Sequence, residues 1–408
     1  MQILFVHNNF PGQYKRISEY LKDKPGFRMT AATLEGNKQP SKLIKARYKP
    51  HREATKGVHP ALVSSERAVL MGHAAYSGLL PLKQKGFKPD IILSHSGWGA
   101  SLFLKDLFPD AKLLTYFEWY YHCHGSDGEF FRSEPYGPNE ELRLRMKNTP
   151  ILHDLAAMDW GQSPTQFQHG KLPAIFKKNV SVLHDGVDID FFSPAEGAKI
   201  KVKDGKVLTA NDEVITYVAR GMEDYRGFPQ FMEAVSVLQK QRPNLHVVIL
   251  GSDRVAYGSA RPDGKSFKTW ALETFEFDHS RLHFMGLQPL AYMRDMLRLT
   301  SAHIYLTAPF VLSWSLMEAM STGALIVGSD TEPLHEVVTH GENGLLVPFF
   351  EVDKLVSQVN QVLDTKNDYN DLRTKARQTI VEAYSTHDLL PKYKELIETV
   401  ANGSHITT

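Results

Sequence analysis

The stretch from His303 to Ser329, HIYLTAPFVLSWSLMEAMSTGALIVGS, decides how this chain folds. It opens on a short β-rich apolar run, HIYLT, passes through the turn Ser313-Trp314-Ser315 into an apolar helical pattern, and closes on a second β-rich run, ALIVGS. A short strand pattern, a longer helical one and another strand pattern read as a parallel βα unit. The alternation recurs in two blocks. The first holds ILFV, DIILS at Asp90 to Ser94, KLLTYF at Lys112 to Phe117 and SVLHDG at Ser181 to Gly186. The second starts after the polar stretch SPAEGAKIKVKDGKVLTANDE, with VITYVAR, LHVVILGS and LHFMGL leading to the opening stretch. At 408 residues the chain exceeds one ordinary core, so two α/β domains are expected, 1–190 and 191–384, followed by a last segment, 385–408. The helical pattern of that segment breaks near Ser385 to Asp388 and at Pro391. A tail kinked there returns to the first domain, or else stays packed on the second sheet; periodicity does not choose.

Composition narrows the function classes. Lys and Arg total 47 against 46 Asp and Glu, a formal charge of +1, so no global field calls for nucleic acid or a membrane surface. The single cysteine, Cys123, excludes an intramolecular disulfide and a cysteine-based zinc cluster, and it favours a reducing compartment. The start MQILFVHNNFPGQY lacks a basic leader region, and no run approaches the roughly 20 apolar residues of a spanning helix, so a cytoplasmic protein is expected. One local charge signal stands out. Lys38, Lys42, Lys45, Arg47, Lys49, Arg52 and Lys56 lie together with Glu53 as the only acid, either as a solvated loop or as a contact for a phosphate-bearing acceptor, an anionic lipid surface or, a weaker alternative, a nucleic acid.

Several strand ends carry chemistry. In HNNFPGQY, Gly12 sits where backbone amides can approach a ligand before the next helix, although an ordinary tight turn fits as well. The full glycine-rich dinucleotide fingerprint is missing, which argues against a nicotinamide dehydrogenase. VITYVAR ends in Arg220, and GMEDYRGF adds Arg226. Two guanidiniums at a strand end can chelate a diphosphate, or they pair with Glu223 and Asp224. The turn after LHVVIL offers Gly251, Ser252, Asp253, Arg254 and Tyr257. Within the opening stretch, Ser315-Leu316-Met317-Glu318 has the spacing of a capping box, so Glu318 either reaches back to its helix start or meets a ligand at the strand end. Ser329, Asp330, Glu332 and Glu336 form a second acidic helix start. In YFEWYYHCHGSDGEFF, aromatic rings interleave with Glu118, His122 and His124, a mixture suited to a sugar ring. No third ligand is spaced to make the two histidines a metal site.

Together these segments resemble the retaining glycosyltransferases of family 4, whose GT-B fold sets two Rossmann-like domains facing one another across a cleft. ILFVHNNFPGQY looks like the family's opening strand and glycine-containing loop, SVLHDGVDIDFFSP like its Asn-Gly-Val-Asp segment, and VARGMEDYRGF like its phosphate-binding segment. LMEAMSTGALIVGSDTEPLHEVVTHGENGLLV is the most specific match. The resemblance implies that Glu318 binds ribose hydroxyls of a nucleoside diphosphate sugar and that Arg220 and Arg226 neutralise its diphosphate. The implied donor pocket also includes Gly12, Gly251, Asp253, Arg254, Tyr257, Leu287, Phe310, Leu312, Ser313, Trp314 and Ser315. The chain departs from the pattern too. Phe310 stands where the family's first motif glutamate would touch donor sugar hydroxyls, Val311-Leu312-Ser313 replaces Gly-Phe-Gly, Asp185 replaces asparagine, Arg226 replaces lysine, Glu332-Pro333 replaces a glycine pair, and Glu118 falls where many members carry histidine.

The activity implied is transfer of a sugar from a UDP- or GDP-linked donor to a saccharide, lipid-linked or protein-linked acceptor, with retention of configuration, in bacterial polysaccharide or glycoconjugate synthesis. The catalytic set would be Glu118, His122, His124, Arg220 and Arg226, with no metal or other cofactor. A site at the inner face of the membrane, with peripheral contact, goes with such acceptors. The competing readings are a nucleotide-sugar binding or regulatory module without transfer, motivated by Phe310, and a sugar-nucleotide epimerase on the same fold. Sequence leaves the oligomeric state open.

Overall fold

The structure, a computed structural model, describes residues 1–404. The last four positions of the expected segment 385–408, residues 405–408, lie outside the described residues. The described chain divides into two compact units, one made of Met1–Gly186 and residues 386–404, the other of Val187–Ser385.

The first unit is built on strands β1 (Gln2–Val6), β2 (Arg28–Leu34), β3 (Ile44–Tyr48), β4 (Ile91–His95), β5 (Lys112–Tyr116), β6 (Trp160–Ser163) and β7 (Val180–Val182). They pair in the order β3-β2-β1-β4-β5-β6-β7, every pairing parallel. Central strands are covered on both faces, so β4, IILSH, is buried at every position, with its apolar residues consecutive and the buried polar Ser94 and His95 at its carboxyl end. Alternate residues serve opposite layers: Ile3 and Phe5 pack with Leu93 and Leu114 on one face, Leu4 and Val6 with Ile92 and Leu113 on the other. The edge strand β3 is charged and half exposed, with Ile44 76% exposed, as an unpaired sheet edge tolerates.

The helix Thr386–Ala401 packs against the helix Lys15–Lys22 and β5, burying Tyr393, Ile397 and Val400 in the first of those layers. The expected break is confined to its start. The preceding helix ends at Ala383, and the next runs from Thr386 straight through Pro391, so the expected interruption at that proline is corrected. A packed apolar face outweighs the one backbone hydrogen bond that an interior proline removes.

The second unit carries strands β8 (Lys199–Lys201) and β9 (Val207–Thr209), an antiparallel hairpin inside the stretch that reads as merely polar. Its main sheet comprises β10 (Val214–Gly221), β11 (His246–Ser252), β12 (Leu282–Gly286), β13 (Ala302–Tyr305), β14 (Ile326–Ser329) and β15 (Leu345–Val347), in the order β12-β11-β10-β13-β14-β15. All of these pairings are parallel. The register slips between Val218 and Gly221, although Gly221 still pairs with Ser252 of β11, and such an irregularity re-aims the side chains at the strand's end.

Strand order reverses between β1 and β4 in the first unit and between β10 and β13 in the second. Open parallel sheets bind ligands beyond the carboxyl ends of the strands at such a reversal. In the second unit those ends carry Arg220 to Gly227 and Leu306 to Ser315; in the first, His7 to Gly12 and Ser96 to Trp98. Among the described residues no helix is long and apolar enough to cross a membrane.

Candidate functional site

In the second unit the two arginines have different fates. Arg220 is exposed at the penultimate position of β10, whereas Arg226 is 3% exposed. The Arg226 turn closes against β13 because Gly227 takes a positive φ of 59° and a Cβ there would lie 2.4 Å from the Leu306 Cβ. The Tyr217 hydroxyl donates to the Arg226 carbonyl at 2.8 Å and fixes the turn from below. Arg226 Nη1 donates to Thr307 Oγ1 at 2.7 Å and to the Tyr305 hydroxyl at 3.3 Å, while Nη2 is buried without a hydrogen-bond partner. Burial opposes the charged form, but the phenols of Tyr305 and Tyr257 and the Glu223 carboxylate outweigh it, and the guanidinium pKa is held above its ordinary value. A buried cation with an idle donor is costly unless an anion completes it.

The Tyr305 hydroxyl continues this network. It accepts from the Ser313 amide at 2.8 Å and from Ser313 Oγ at 3.2 Å, and Ser313 Oγ lies 2.7 Å from Ser315 Oγ. Ser313 is the residue before the helix Trp314–Ser321, and no side chain caps that helix. Of the two readings left open for Glu318, the capping box with Ser315 does not form: Ser315 already lies inside the helix, and Glu318 sits in its second turn, buried. The start of this helix lies beside Arg226 through Tyr305, and its amides and dipole favour negative charge there.

Phe310 is buried between Tyr225 and Tyr257, with ring centroids 5.3 Å and 5.2 Å away. The Arg226 guanidinium lies 5.2 Å from the Tyr257 ring centroid. An aromatic wall thus flanks the cation where the family pattern has a carboxylate. Gly251 packs against the neighbouring strand, since a Cβ there would meet the Ala219 carbonyl at 2.1 Å. Asp253 accepts from Ser266 Oγ at 3.0 Å, and Arg254 is exposed. Leu287 is 79% exposed just after β12; Leu312 and Trp314 are half-buried.

In the first unit the ends of β1, β4 and β5 bring together groups that are distant in sequence. The Asn9 amide donates to His7 Nδ1 at 3.0 Å, so His7 carries its proton on Nε2 and donates to Gln13 Oε1 at 2.7 Å. Gln13 Nε2 then donates to Glu118 Oε1 at 3.1 Å. The other Glu118 oxygen lies 3.6 Å from His95 Nε2, and the Glu118 side chain remains 30% exposed. His95 Nδ1 donates to the Ser96 carbonyl at 2.8 Å, and Trp98 stacks on the His95 ring at 4.2 Å. Gly12 permits the closure, because a Cβ there would lie 2.3 Å from the His7 ring. Beneath, Asp154 is wholly buried and accepts from Ser101 Oγ at 2.6 Å, Ser96 Oγ at 2.7 Å and the Gly97 amide at 3.3 Å. Desolvation raises its carboxyl pKa to about 6, against the lowering effect of those bonds.

The expected partnership of Glu118 with His122 or His124 is corrected. His122 donates Nε2–H to the Lys171 carbonyl at 2.7 Å, and His124 is exposed between Glu129 and Glu141, each 3.4 Å away. His7, Gln13 and His95 take their place. The signal was available, since His95 directly follows the strand run DIILS. The basic run 38–56 mostly folds onto its own loop. Lys45 donates to the Gln39 carbonyl, Arg47 to those of Glu35 and Asn37, Arg52 to Glu66, and Lys49 faces Glu35 at 3.5 Å.

Comparison with known proteins places this geometry. Residues 25–192 match the model described as "Glycosyl transferase family 4 group", and residues 199–379 match "Glycosyl transferases group 1". A search of curated proteins finds no match. Among solved structures, the chain is similar to sucrose-phosphate synthase from Thermosynechococcus elongatus, with 14% identity, a TM-score of 0.71 and coverage of 99% of this chain and 100% of that one. It is also similar to Anabaena Alr3699/HepE in complex with UDP-glucose, with 13% identity, a TM-score of 0.68 and coverage of 98% and 100%. A glycosyltransferase from Rickettsia africae aligns at 15% identity and a TM-score of 0.64, covering 99% of each chain.

Proposed function

Since the chain belongs to the group 1 glycosyltransferases of family 4 and has the GT-B fold, we propose that it transfers a sugar from a nucleoside diphosphate donor to an acceptor hydroxyl with retention of configuration. The observation that carries the donor assignment is Arg226, a buried guanidinium with an idle Nη2, at the strand-order reversal of the second unit and beside a helix start. Negative charge grows on the leaving diphosphate as the glycosidic bond breaks, and a fixed cation and helix amides stabilise it without reorganising. Glu318 is assigned to the ribose hydroxyls, and the exposed Arg220 to the outer side of the diphosphate. That Anabaena Alr3699/HepE was captured with UDP-glucose supports a uridine diphosphate sugar as the first donor to try, with GDP-linked sugars next.

The first unit is assigned the acceptor. Glu118, oriented by Gln13 and faced by His95, is a carboxylate open to solvent and held from two sides, suited to orienting a hydroxyl or stabilising an oxocarbenium-like centre. Retention is accounted for by acceptor attack from the face the diphosphate leaves, with a phosphate oxygen taking the acceptor proton. The lone Cys123 supports a reducing, cytoplasmic setting, and the acceptor class stays with saccharide, lipid-linked or protein-linked hydroxyls.

Screening nucleoside diphosphates and their sugars by thermal shift, followed by detection of released nucleoside diphosphate with and without acceptor, tests this reading. Donor binding with acceptor-dependent release is expected. Tight binding with no release in the presence of varied acceptors makes the protein a binding module, and conversion of the sugar without acceptor makes it an epimerase.

A further inference from the structure

Glu223 is 0% exposed, two residues beyond β10 and three before Arg226. One of its oxygens, Oε2, accepts three successive backbone amides, from Ala256 at 3.0 Å, Tyr257 at 2.8 Å and Gly258 at 2.8 Å. The other, Oε1, is buried without a hydrogen-bond partner. Three converging amides make an anion nest, and here the chain's own carboxylate fills it. The loop that supplies them is seated closely on the end of β10. A Cβ at Gly221 would lie 2.5 Å from the Arg254 carbonyl, and one at Gly258 would lie 2.3 Å from Asp224 Oδ1.

Residue 257 connects this nest to the cation. Its amide bonds Glu223, while its ring lies 5.2 Å from the Arg226 guanidinium and against Phe310. Two opposite charges are thus buried on either side of Tyr257, and each keeps one polar atom idle, Glu223 Oε1 and Arg226 Nη2. A direct ion pair would satisfy both atoms. It would also consume the donors that a diphosphate needs, and a ligand would then have to break a buried pair before binding.

We infer that Glu223 is a positioning residue for the proposed donor site: held on three amides, it balances the buried charge of Arg226 from a distance without occupying the guanidinium. The arrangement sets diphosphate affinity at an intermediate level, strong enough to bind the donor and weak enough to release the nucleoside diphosphate product. This rests on the donor reading given above. Removing the charge while keeping an acceptor for the amides leaves Arg226 uncompensated and strengthens its hold on a diphosphate. Shortening the side chain while keeping the charge pulls the carboxylate off the nest, frees the loop and lets the carboxylate compete for Arg226.

Titration of uridine diphosphate and guanosine diphosphate into wild type, Glu223→Gln and Glu223→Asp tests the inference, together with the split between donor KM and kcat. The expected order of affinity is Gln above Glu above Asp, each step at least threefold, with the Gln variant showing a lower donor KM and a lower kcat as product release slows. A residue that only supports the fold gives the wild type the highest affinity and both variants less, and that order overturns the inference. Should the Gln variant not fold, Glu223→Asp is titrated in the wild-type and Arg226→Met backgrounds: a loss of affinity confined to the background that keeps Arg226 is expected, and an equal loss in both overturns the inference. A wild type that binds neither diphosphate overturns the donor reading itself and this inference with it.

Discussion

Asp154→Asn turns the buried carboxylate of the first unit into a pH measurement. Asp154 is wholly buried, and burial raises its pKa from 3.8 to about 6 despite bonds from Ser101, Ser96 and Gly97. Between those values the folded chain holds a proton that the unfolded chain has released. Stability contributed by that proton is complete below pH 3.8 and is lost as pH rises through about 6. Each pH unit in the window is worth about 1.4 kcal/mol, so the loss across it is about 3 kcal/mol. Asparagine does not titrate, and its amide can serve the same serine hydroxyls, which rotate to accept or donate. The assay is urea unfolding of both proteins from pH 4 to pH 7.5, following the transition that contains the first unit. Wild type should lose about 2 kcal/mol relative to Asp154→Asn between pH 4 and neutrality, the rest of the window lying below the first point, and then run parallel to it. A pH-independent difference, or one of opposite slope, would refute the reasoning and mean that the three donors outweigh burial and keep the carboxylate ionised.

Two further substitutions separate the roles assigned within the proposed sites. Glu118→Gln should lower turnover by about 10²-fold or more with nucleoside diphosphate affinity unchanged, as for a group acting on the reacting centre, and a simple loss of donor binding contradicts that role. In the same assay His122→Ala should stay within a few-fold of wild type, because its ring serves the Lys171 carbonyl. Glu318→Ala should weaken nucleoside binding by about ten- to a hundredfold, in keeping with loss of a charged hydrogen bond worth about 1.5–3 kcal/mol, and an unchanged titration reduces Glu318 to a structural carboxylate of its helix.

Much of the fold was legible because buried parallel strands leave nearly unbroken apolar runs. ILFV, DIILS, LHVVIL and ALIVGS each locate a strand by that signal. β2 and β3 gave no such signal, since Arg28 and Ile44 begin half-exposed strands toward the sheet edge and the charges of IKARY follow solvent, not a core. The β8–β9 hairpin is too short and polar to stand apart from a linker. Arg226 and Glu318 were found as candidates through their places at strand and helix ends, but only packing distinguishes buried Arg226 from exposed Arg220. The helix starts after Ser313, beyond a loop that follows β13, and the Ser315 spacing imitated a cap without being one. Asp154 was out of reach for another reason, and Glu223 was visible only as an available partner for the arginines. The actual partners, Ser96 and Ser101 for Asp154 and the amides of 256–258 for Glu223, lie more than thirty residues away and follow no local pattern.

The central claim is that the second unit holds a nucleoside diphosphate sugar through Arg226. Calorimetric titration of uridine diphosphate and guanosine diphosphate into wild type and Arg226→Met measures it directly, methionine filling most of the buried volume without the charge. Binding of one of the two to wild type, weakened by about 10²-fold or more in the variant while the variant stays folded, is the predicted result, as expected for loss of a buried charge-assisted contact. Equal affinity in the two proteins, or no binding to wild type, would contradict it.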